Sequence, residues 1–397
     1  MNITKANPLI LGNQADNGLN DLDTDYLEMA DKIMRLGSFS GNRTEFDTYK
    51  YFGTQLETHL MAGFPLLSTK KVYIRPMFEE LFWMLNGHTN IQPLLDADVH
   101  IWDGWANKNG DLGPIYGQQW RNREDTTIIY NKDPYWFEKT QFCKNNGYTF
   151  VAGFKTGSVY TRNIDQIQEV LNTLLLKPNC RRLIVDSWNP AVLPTDDHPT
   201  KQAAMGRQSL PACHTLFQFG TVDTTDPIYR VRDLKMFNVY TIEGTTYLNG
   251  IKLDITETQF SALNDEEVLD LLDSYRDHIV PRTRLLNTHL YMRSSDIFLG
   301  QPFNIASYAA LTALFCAVTQ MIPNRLILSF GDIHIYENHV EALQKQANNL
   351  HSCKEMPYMF TIGVGPTQKN DLKNLTMANV RVVKYEHCAA IKADVAI

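Results

Sequence analysis

Cys213 stands in the run Ser209-Leu-Pro-Ala-Cys-His-Thr-Leu-Phe-Gln-Phe219, where a proline-containing loop leads a thiol into an apolar, strand-forming segment. Most free cysteines are small buried hydrophobes, so an inert core thiol is the ordinary reading. A Cys213–His214 hydrolase dyad is the first chemical alternative. Adjacent residues on an extended strand point to opposite faces, however, which misplaces His214 as a base for its neighbour. A cation can activate the thiol instead, because nearby positive charge favours the thiolate. Arg43, the pair Arg181-Arg182, and Arg293 followed by Ser294 are the candidates. Singly, each is an ordinary surface ion-pair residue. Together they would clamp a phosphate through the planar donor fork of guanidinium.

Ordinary elements must bring these side chains together. Leu22, Tyr26, Leu27, Ala30, Ile33 and Met34 recur at helical spacing, with Asp23 or Thr24 as N-cap and Gly37 as the stop, which predicts a first helix packed on a sheet. A strand pair is expected around Tyr49 to Met61. A second helix is expected from about Pro76 to Asn86, with Phe78, Leu81, Phe82 and Leu85 among its apolar positions, and another over 164–176, ended by Pro178. Leu183 to Val185 and Leu216 to Phe219 read as buried strands and Ser307 to Met321 as a buried helix, an α+β mixture. Residues 122–162 and 221–284 interrupt it with weaker periodicity and more Asp, Thr, Asn and Tyr, as insertions on a core would. Within the second, 262–276 keeps enough apolar spacing for a helix.

Composition narrows the classes of function. The 397 residues are 44% hydrophobic, enough for a substantial core, and their net charge of -7 offers no footprint for nucleic-acid binding. Six scattered cysteines without a C-x-x-C pair suit a reducing cytoplasm and argue against zinc, any other metal site and disulfides. The first twenty residues lack a signal-peptide apolar core. The longest apolar stretch, Tyr308 to Val318, is interrupted by Thr312 and is too short to span a bilayer. A cytoplasmic protein without a membrane role is expected.

The ordered set of motifs resembles thymidylate synthase and its hydroxymethylase relatives. The set begins with Phe64-Pro-Leu-Leu-Ser-Thr-Lys70, Glu80-Leu-Phe-Trp-Met-Leu-Asn-Gly87, Thr89-Asn-Ile91, Ile101-Trp-Asp-Gly-Trp-Ala106 and Gly110-Asp-Leu-Gly-Pro-Ile-Tyr-Gly117. It continues with Arg181-Arg182, Trp188-Asn-Pro190, Pro211-Ala-Cys-His214, Arg293-Ser294, Leu299-Gly-Gln-Pro-Phe-Asn-Ile-Ala-Ser-Tyr308, Gly331-Asp-Ile-His-Ile-Tyr-Glu-Asn-His339 and Ile391-Lys-Ala-Asp-Val-Ala-Ile397. The resemblance covers most of the chain outside the two insertions. It implies one domain over 1–397 with a three-layer α+β fold, whose large mixed sheet meets its counterpart back to back in a homodimer. Arg181 and Arg182 would then reach the other subunit's nucleotide phosphate, with Arg43, Arg293 and Ser294 completing the clamp.

The same resemblance implies the chemistry. C5 of uracil is a poor nucleophile, so Cys213 thiolate would add to C6 of dUMP and make C5 reactive toward 5,10-methylenetetrahydrofolate. Glu80 would organise water and shuttle protons, and Tyr116 would help remove the C5 proton. His214 and Gln218 would contact the nucleotide, and His334 and Tyr336 would hold its 3′-hydroxyl. Asp296 would hold the pterin, with Trp102, Trp105, Lys70, Gly300 and Ile397 on the folate side. The plainer readings are a helix-surface carboxylate for Glu80 and core packing for the aromatic residues. Asn304 can donate to uracil O4 and accept from N3–H at once, whereas cytosine reverses that pattern and is met by aspartate in relatives that act on deoxycytidylate.

After tetrahydrofolate leaves, hydride transfer would give thymidylate and dihydrofolate, and water addition would give 5-hydroxymethyl-dUMP and tetrahydrofolate. Met292 replaces the glutamine of thymidylate synthases and matches the Met-Arg-Ser-x-Asp form of the phage deoxycytidylate hydroxymethylase. Tyr73 replaces a histidine near the folate, and Glu45-Phe46-Asp47 replaces a Gly-rich phosphate loop. Gly220 replaces a tyrosine, which would open room for an ordered water. Trp102, Asn304 and Ile397 fit the ordinary synthase. The insertions resemble those of enlarged phage deoxyuridylate hydroxymethylases, and hydroxymethylation is the expected branch. A catalytically retired binding protein and a cysteine hydrolase are the competing classes.

Overall fold

The computed structural model describes residues 21–41, 45–195, 198–225, 239–242, 245–248, 251–274 and 282–394. Arg43 and Ile397 lie outside them. The first helix runs Asp21–Leu36, and Gly37 ends it where a Cβ would lie 2.3 Å from the Ile33 carbonyl oxygen. Its stripe of Leu22, Tyr26, Leu27, Ala30 and Ile33 is buried against the sheet.

Strands β1 (Ser38–Ser40) and β2 (Thr48–His59) open that sheet. β3 (Arg123–Tyr130), β4 (Thr149–Phe154) and β5 (Gly157–Ile164) instead form a separate antiparallel sheet with the helix Trp136–Asn145, so 122–162 is an ordered unit of its own. β6 (Ile184–Asp186) and β7 (His214–Asp223) return to the main sheet. Within 221–284, β8 (Val239–Ile242), β9 (Thr245–Leu248) and β10 (Ile251–Lys252) make a third sheet, followed by the helices Glu257–Ala262 and Asp265–Ser274. β11 (Arg284–Asp296) and β12 (Ile322–Tyr336) complete the main sheet in the order β1-β2-β12-β11-β7-β6. Only β11 and β12 pair parallel. A parallel pair needs a long crossover, supplied here by the helix Gly300–Thr319. The molecule is therefore α+β around a large mixed sheet.

This central helix is longer than the apolar run Tyr308 to Val318 suggests, and by length and composition it would cross a bilayer, yet 89% of its most apolar window is buried inside the fold. Phe217 and Phe219 of β7 pack on its Tyr308 and Phe315 at ring separations of 5.4 and 4.5 Å. Thr312 is tolerated because its hydroxyl bonds the Tyr308 carbonyl at 2.7 Å and meets Thr288 Oγ1 at 2.6 Å.

Tyr49 to Met61 holds one long strand rather than a pair. Gly53, with φ of +80°, kinks it between Phe52 paired to Asp332 and Thr54 paired to Phe330. Opposite it in β12, burial changes phase at Gly331: Leu326, Leu328 and Phe330 are buried before it, and Ile333 and Ile335 after it. A Cβ on Gly331 would lie 2.9 Å from the Arg293 carbonyl oxygen and 3.0 Å from Tyr291 Oη. The kink lets one pair of strands serve the central helix at one end and the candidate site at the other.

Candidate active site

β7 begins at His214, which leaves Cys213 as the last residue of the loop. The pairing of β7 with β11 slips between Tyr291 opposite Leu216 and Met292 opposite His214, leaving Thr215 as an extra residue. Beside this bulge the Arg293 N–H donates to the Cys213 carbonyl at 3.0 Å. Its guanidinium donates to the carbonyls of Ala212 at 2.9 Å and Pro211 at 2.7 Å, and Nη2 lies 3.6 Å from Cys213 Sγ. One arginine thus fixes the loop and places positive charge beside the sulfur, the arrangement that favours thiolate. Trp188 faces the same guanidinium at 5.6 Å. Its role beside Arg293 was not read from the sequence, because nothing in the sequence shows that the two meet.

Tyr116 heads the helix Tyr116–Arg121, and its hydroxyl oxygen accepts the Cys213 N–H at 2.8 Å. Burial, reinforced by Cys213, pushes the phenol far above its ordinary pKa and keeps it a neutral O–H. His214 packs between Tyr116 and Tyr308 at ring separations of 5.2 and 5.4 Å. Burial lowers its pKa to about 4 against an opposing hydrogen bond to Asn304, so the ring stays neutral. Asn304 comes from the central helix one turn after Gly300, and its Nδ2 lies 3.8 Å from the thioether of Met292.

Glu80, on the helix Ile74–Leu85, accepts from Trp102 Nε1 at 2.8 Å. Burial raises its carboxyl to about 7, only partly offset by the Trp102 bond. A carboxyl near 7 both gives and takes protons at neutral pH. Trp102 continues the aromatic wall to Trp105 at 5.8 Å and Tyr116 at 6.2 Å.

The raised value also affects stability. From the ordinary 4.5 up to about 7, the folded protein holds a proton that the unfolded chain releases, so stability falls as pH rises through that window. Glu80→Gln removes this cost. Allowing for its partly open side, the variant should gain about 2 kcal/mol over the parent at pH about 8 and nothing at pH about 4, measured by denaturant midpoints, while turnover falls.

On the neighbouring strands, His334 Nδ1 meets Asp332 Oδ1 at 3.0 Å and its ring stands edge-on to Tyr336 at 5.1 Å. Ser294 lies opposite Asp332 and Asp296 opposite His334 in the β11–β12 register. Asp296 accepts the N–H groups of Phe298 and Leu299. Arg181 and Arg182 are exposed on the loop before β6. Tyr73 is 48% exposed at the start of the Glu80 helix.

Three positions differ from expectation. Gln218 does not join the site: Phe217 and Phe219 take the core face of β7, so Gln218 points to the opposite face and donates to the Arg181 carbonyl at 3.0 Å. Five residues along the strand also place it about 17 Å from Cys213. Gly220 shares that outer face, beside a groove of about 320 Å³ lined by Asn179, Arg181, Gln218 and His289, so it makes no room for water near Cys213. Lys70 is turned inward. Its amine donates to the Phe298 carbonyl and sits 3.5 Å over the Phe298 ring, and burial lowers its pKa to about 7 against the pull of Asp296.

A thiol held beside guanidinium, with a carboxyl that exchanges protons near neutrality and a half-buried amide beside them, suits a mixed α+β protein to nucleophilic transfer. A sequence model of the family described as Thymidylate synthase matches residues 24–242 and 270–397, running through 122–162 and omitting 243–269. The chain belongs to the thymidylate synthase family, whose members transfer a one-carbon unit to dUMP from a folate cosubstrate and are usually homodimers.

Proposed function

We propose that this chain converts dUMP and 5,10-methylenetetrahydrofolate to 5-hydroxymethyl-dUMP and tetrahydrofolate. The placement of Cys213 Sγ 3.6 Å from Arg293 Nη2 carries the covalent part of this reading. Cys213 thiolate adds to C6, and C5 forms a bond to the folate methylene carbon as that carbon's bond to N10 breaks and N10 takes a proton from Glu80 through water. A water held by the neutral Tyr116 hydroxyl carries the C5 proton to Glu80, which passes it to N5 of the departing folate. Cleavage of the remaining C–N bond releases tetrahydrofolate and leaves a methylene on C5. Water then adds to that carbon, gives a proton to Glu80, and Cys213 leaves as thiolate. Asn304 selects uracil, with neutral His214 beside it. His334, Tyr336, Arg293 and Ser294 bind the sugar and phosphate, together with Arg43 and the partner subunit's copies of the exposed pair Arg181 and Arg182.

Support for the water branch comes from Met292, which is 1% exposed and offers Asn304 only a thioether, a weak acceptor and no donor. Hydride transfer needs the departing pterin held in register over the methylene, and a glutamine here would supply hydrogen bonds that methionine cannot. Water competes better when that hold is loose. Thymidylate formation by hydride transfer is the second reading, favoured by Trp102, which walls the site as an ordinary synthase requires. Chromatography of the nucleotide and folate products decides: thymidylate with dihydrofolate would defeat the hydroxymethyl proposal. Met292→Gln is expected to raise the thymidylate share about tenfold, a change of about 1.4 kcal/mol at the branch, measured as the product ratio at fixed dUMP consumption.

A further inference from the structure

His339 ends the short helical turn Glu337–His339 after β12, and its side chain is fully buried. Nε2 lies 2.8 Å from the carbonyl oxygen of Asp394, and Nδ1 lies 3.6 Å from Asp296 Oδ1. A carbonyl oxygen only accepts, so Nε2 carries a proton. A neutral ring would then aim a bare lone pair from Nδ1 at the carboxyl oxygen, whereas a doubly protonated ring turns an N–H toward each of the two oxygens. Asn338 Nδ2 reaches the same Asp394 carbonyl at 3.3 Å, so two side chains of one turn grip the 391–394 segment at a single point.

The surroundings confine the ring. Phe298 packs on it at 5.5 Å and Tyr336 at 5.4 Å. Lys70 is the second cation facing Asp296, and its charge opposes that of the imidazolium. Burial also opposes the charged ring, but the adjacent Asp296 carboxyl and the Asp394 carbonyl outweigh both and raise its pKa.

We propose that His339 is a positioning residue for the folate half of the reaction, its imidazolium tying the C-terminal segment to the Asp296 carboxylate so that seating the segment and orienting Asp296 are one event. This rests on the reading that Asp296 and the residues beyond Asp394 serve the folate. Deprotonation of Nδ1 breaks the tie at its Asp296 end, so the folate is held less well as pH rises. The nucleotide keeps its hold through Arg293, Ser294, Asn304 and His334, and of its proposed contacts Tyr336 meets the His339 ring by packing.

Steady-state kinetics of the full chain at saturating dUMP, from pH about 6 to about 9, test this. In the parent, the folate KM should climb with pH. His339→Gln keeps a donor toward Asp394 but cannot be charged, and should raise the folate KM about tenfold at pH about 6.5 and flatten its pH dependence, with dUMP affinity changed less than about twofold. Carboxypeptidase release of the terminal residues needs no variant and should quicken with pH in the parent. A folate KM and a digestion rate that both ignore pH would overturn the proposal. So would a folded variant that loses dUMP and folate affinity together, as a merely structural histidine would cause. Absence of any folate-dependent turnover in the parent would defeat the functional reading and this role with it, whereas normal turnover with a pH-indifferent folate KM defeats only the role of His339.

Discussion

Cys213→Ser is expected to cut turnover by at least about a thousandfold while leaving dUMP affinity within about threefold. Addition to C6 needs an anion, and a serine hydroxyl ionises several pH decades above a thiol, so the guanidinium that suffices for sulfur does not suffice for oxygen. Arg293 keeps its carbonyl partners Pro211 and Ala212 in the variant, so the loop has no cause to move. Single-turnover kinetics and the mass of a covalent nucleotide adduct read this directly. Near-normal turnover in the serine variant would sink the covalent mechanism.

Asn304→Asp should invert base preference. In the proposed complex the amide donates to O4 and accepts from N3–H of uracil. A protonated aspartate next to a cytosine ring offers the opposite pair, and an ionised one repels O4. Sites built to hydrogen-bond a ring edge discriminate strongly, so the ratio of kcat/KM for dUMP over dCMP should fall roughly a thousandfold. The neighbouring His214, with its pKa near 4, brings no positive charge to stabilise the new carboxylate, which favours the protonated form. Parallel assays with the two nucleotides measure the ratio. A ratio unchanged by the substitution would mean that Asn304 does not read the base.

Elements whose pattern answers to a single environment were legible in the sequence. The first helix has one apolar stripe and a glycine stop, and the central helix is apolar all round because it is buried all round. The long β2 was expected as a strand pair, and only its pairing with β12 shows that it runs through Gly53 as one kinked strand. β4 left no trace because all six of its residues are exposed and no alternation exists to detect. In the site, Cys213, Arg293, Tyr116, Glu80 and Asn304 fell together because each sits in its own motif. Gln218 was assigned through the resemblance, although the buried Phe217 and Phe219 on either side already placed it on the other face. Lys70 and His339 could not be separated by residue type: one lies where a ligand contact was expected and turns inward, and the other became visible only as a bridge between two distant segments.

The glycine kink also divides the molecule's tolerance to change. Residues 326–330 answer to the packing under the central helix, whereas past Gly331 the buried Ile333 and Ile335 alternate with Asp332, His334 and Tyr336, of which His334 and Tyr336 are proposed to meet the nucleotide. A library that randomises 326–330 samples heat resistance, and one that randomises His334 and Tyr336 samples substrate choice. Gly53 and Gly331 form the seam along which the two libraries can be recombined without either spoiling the other.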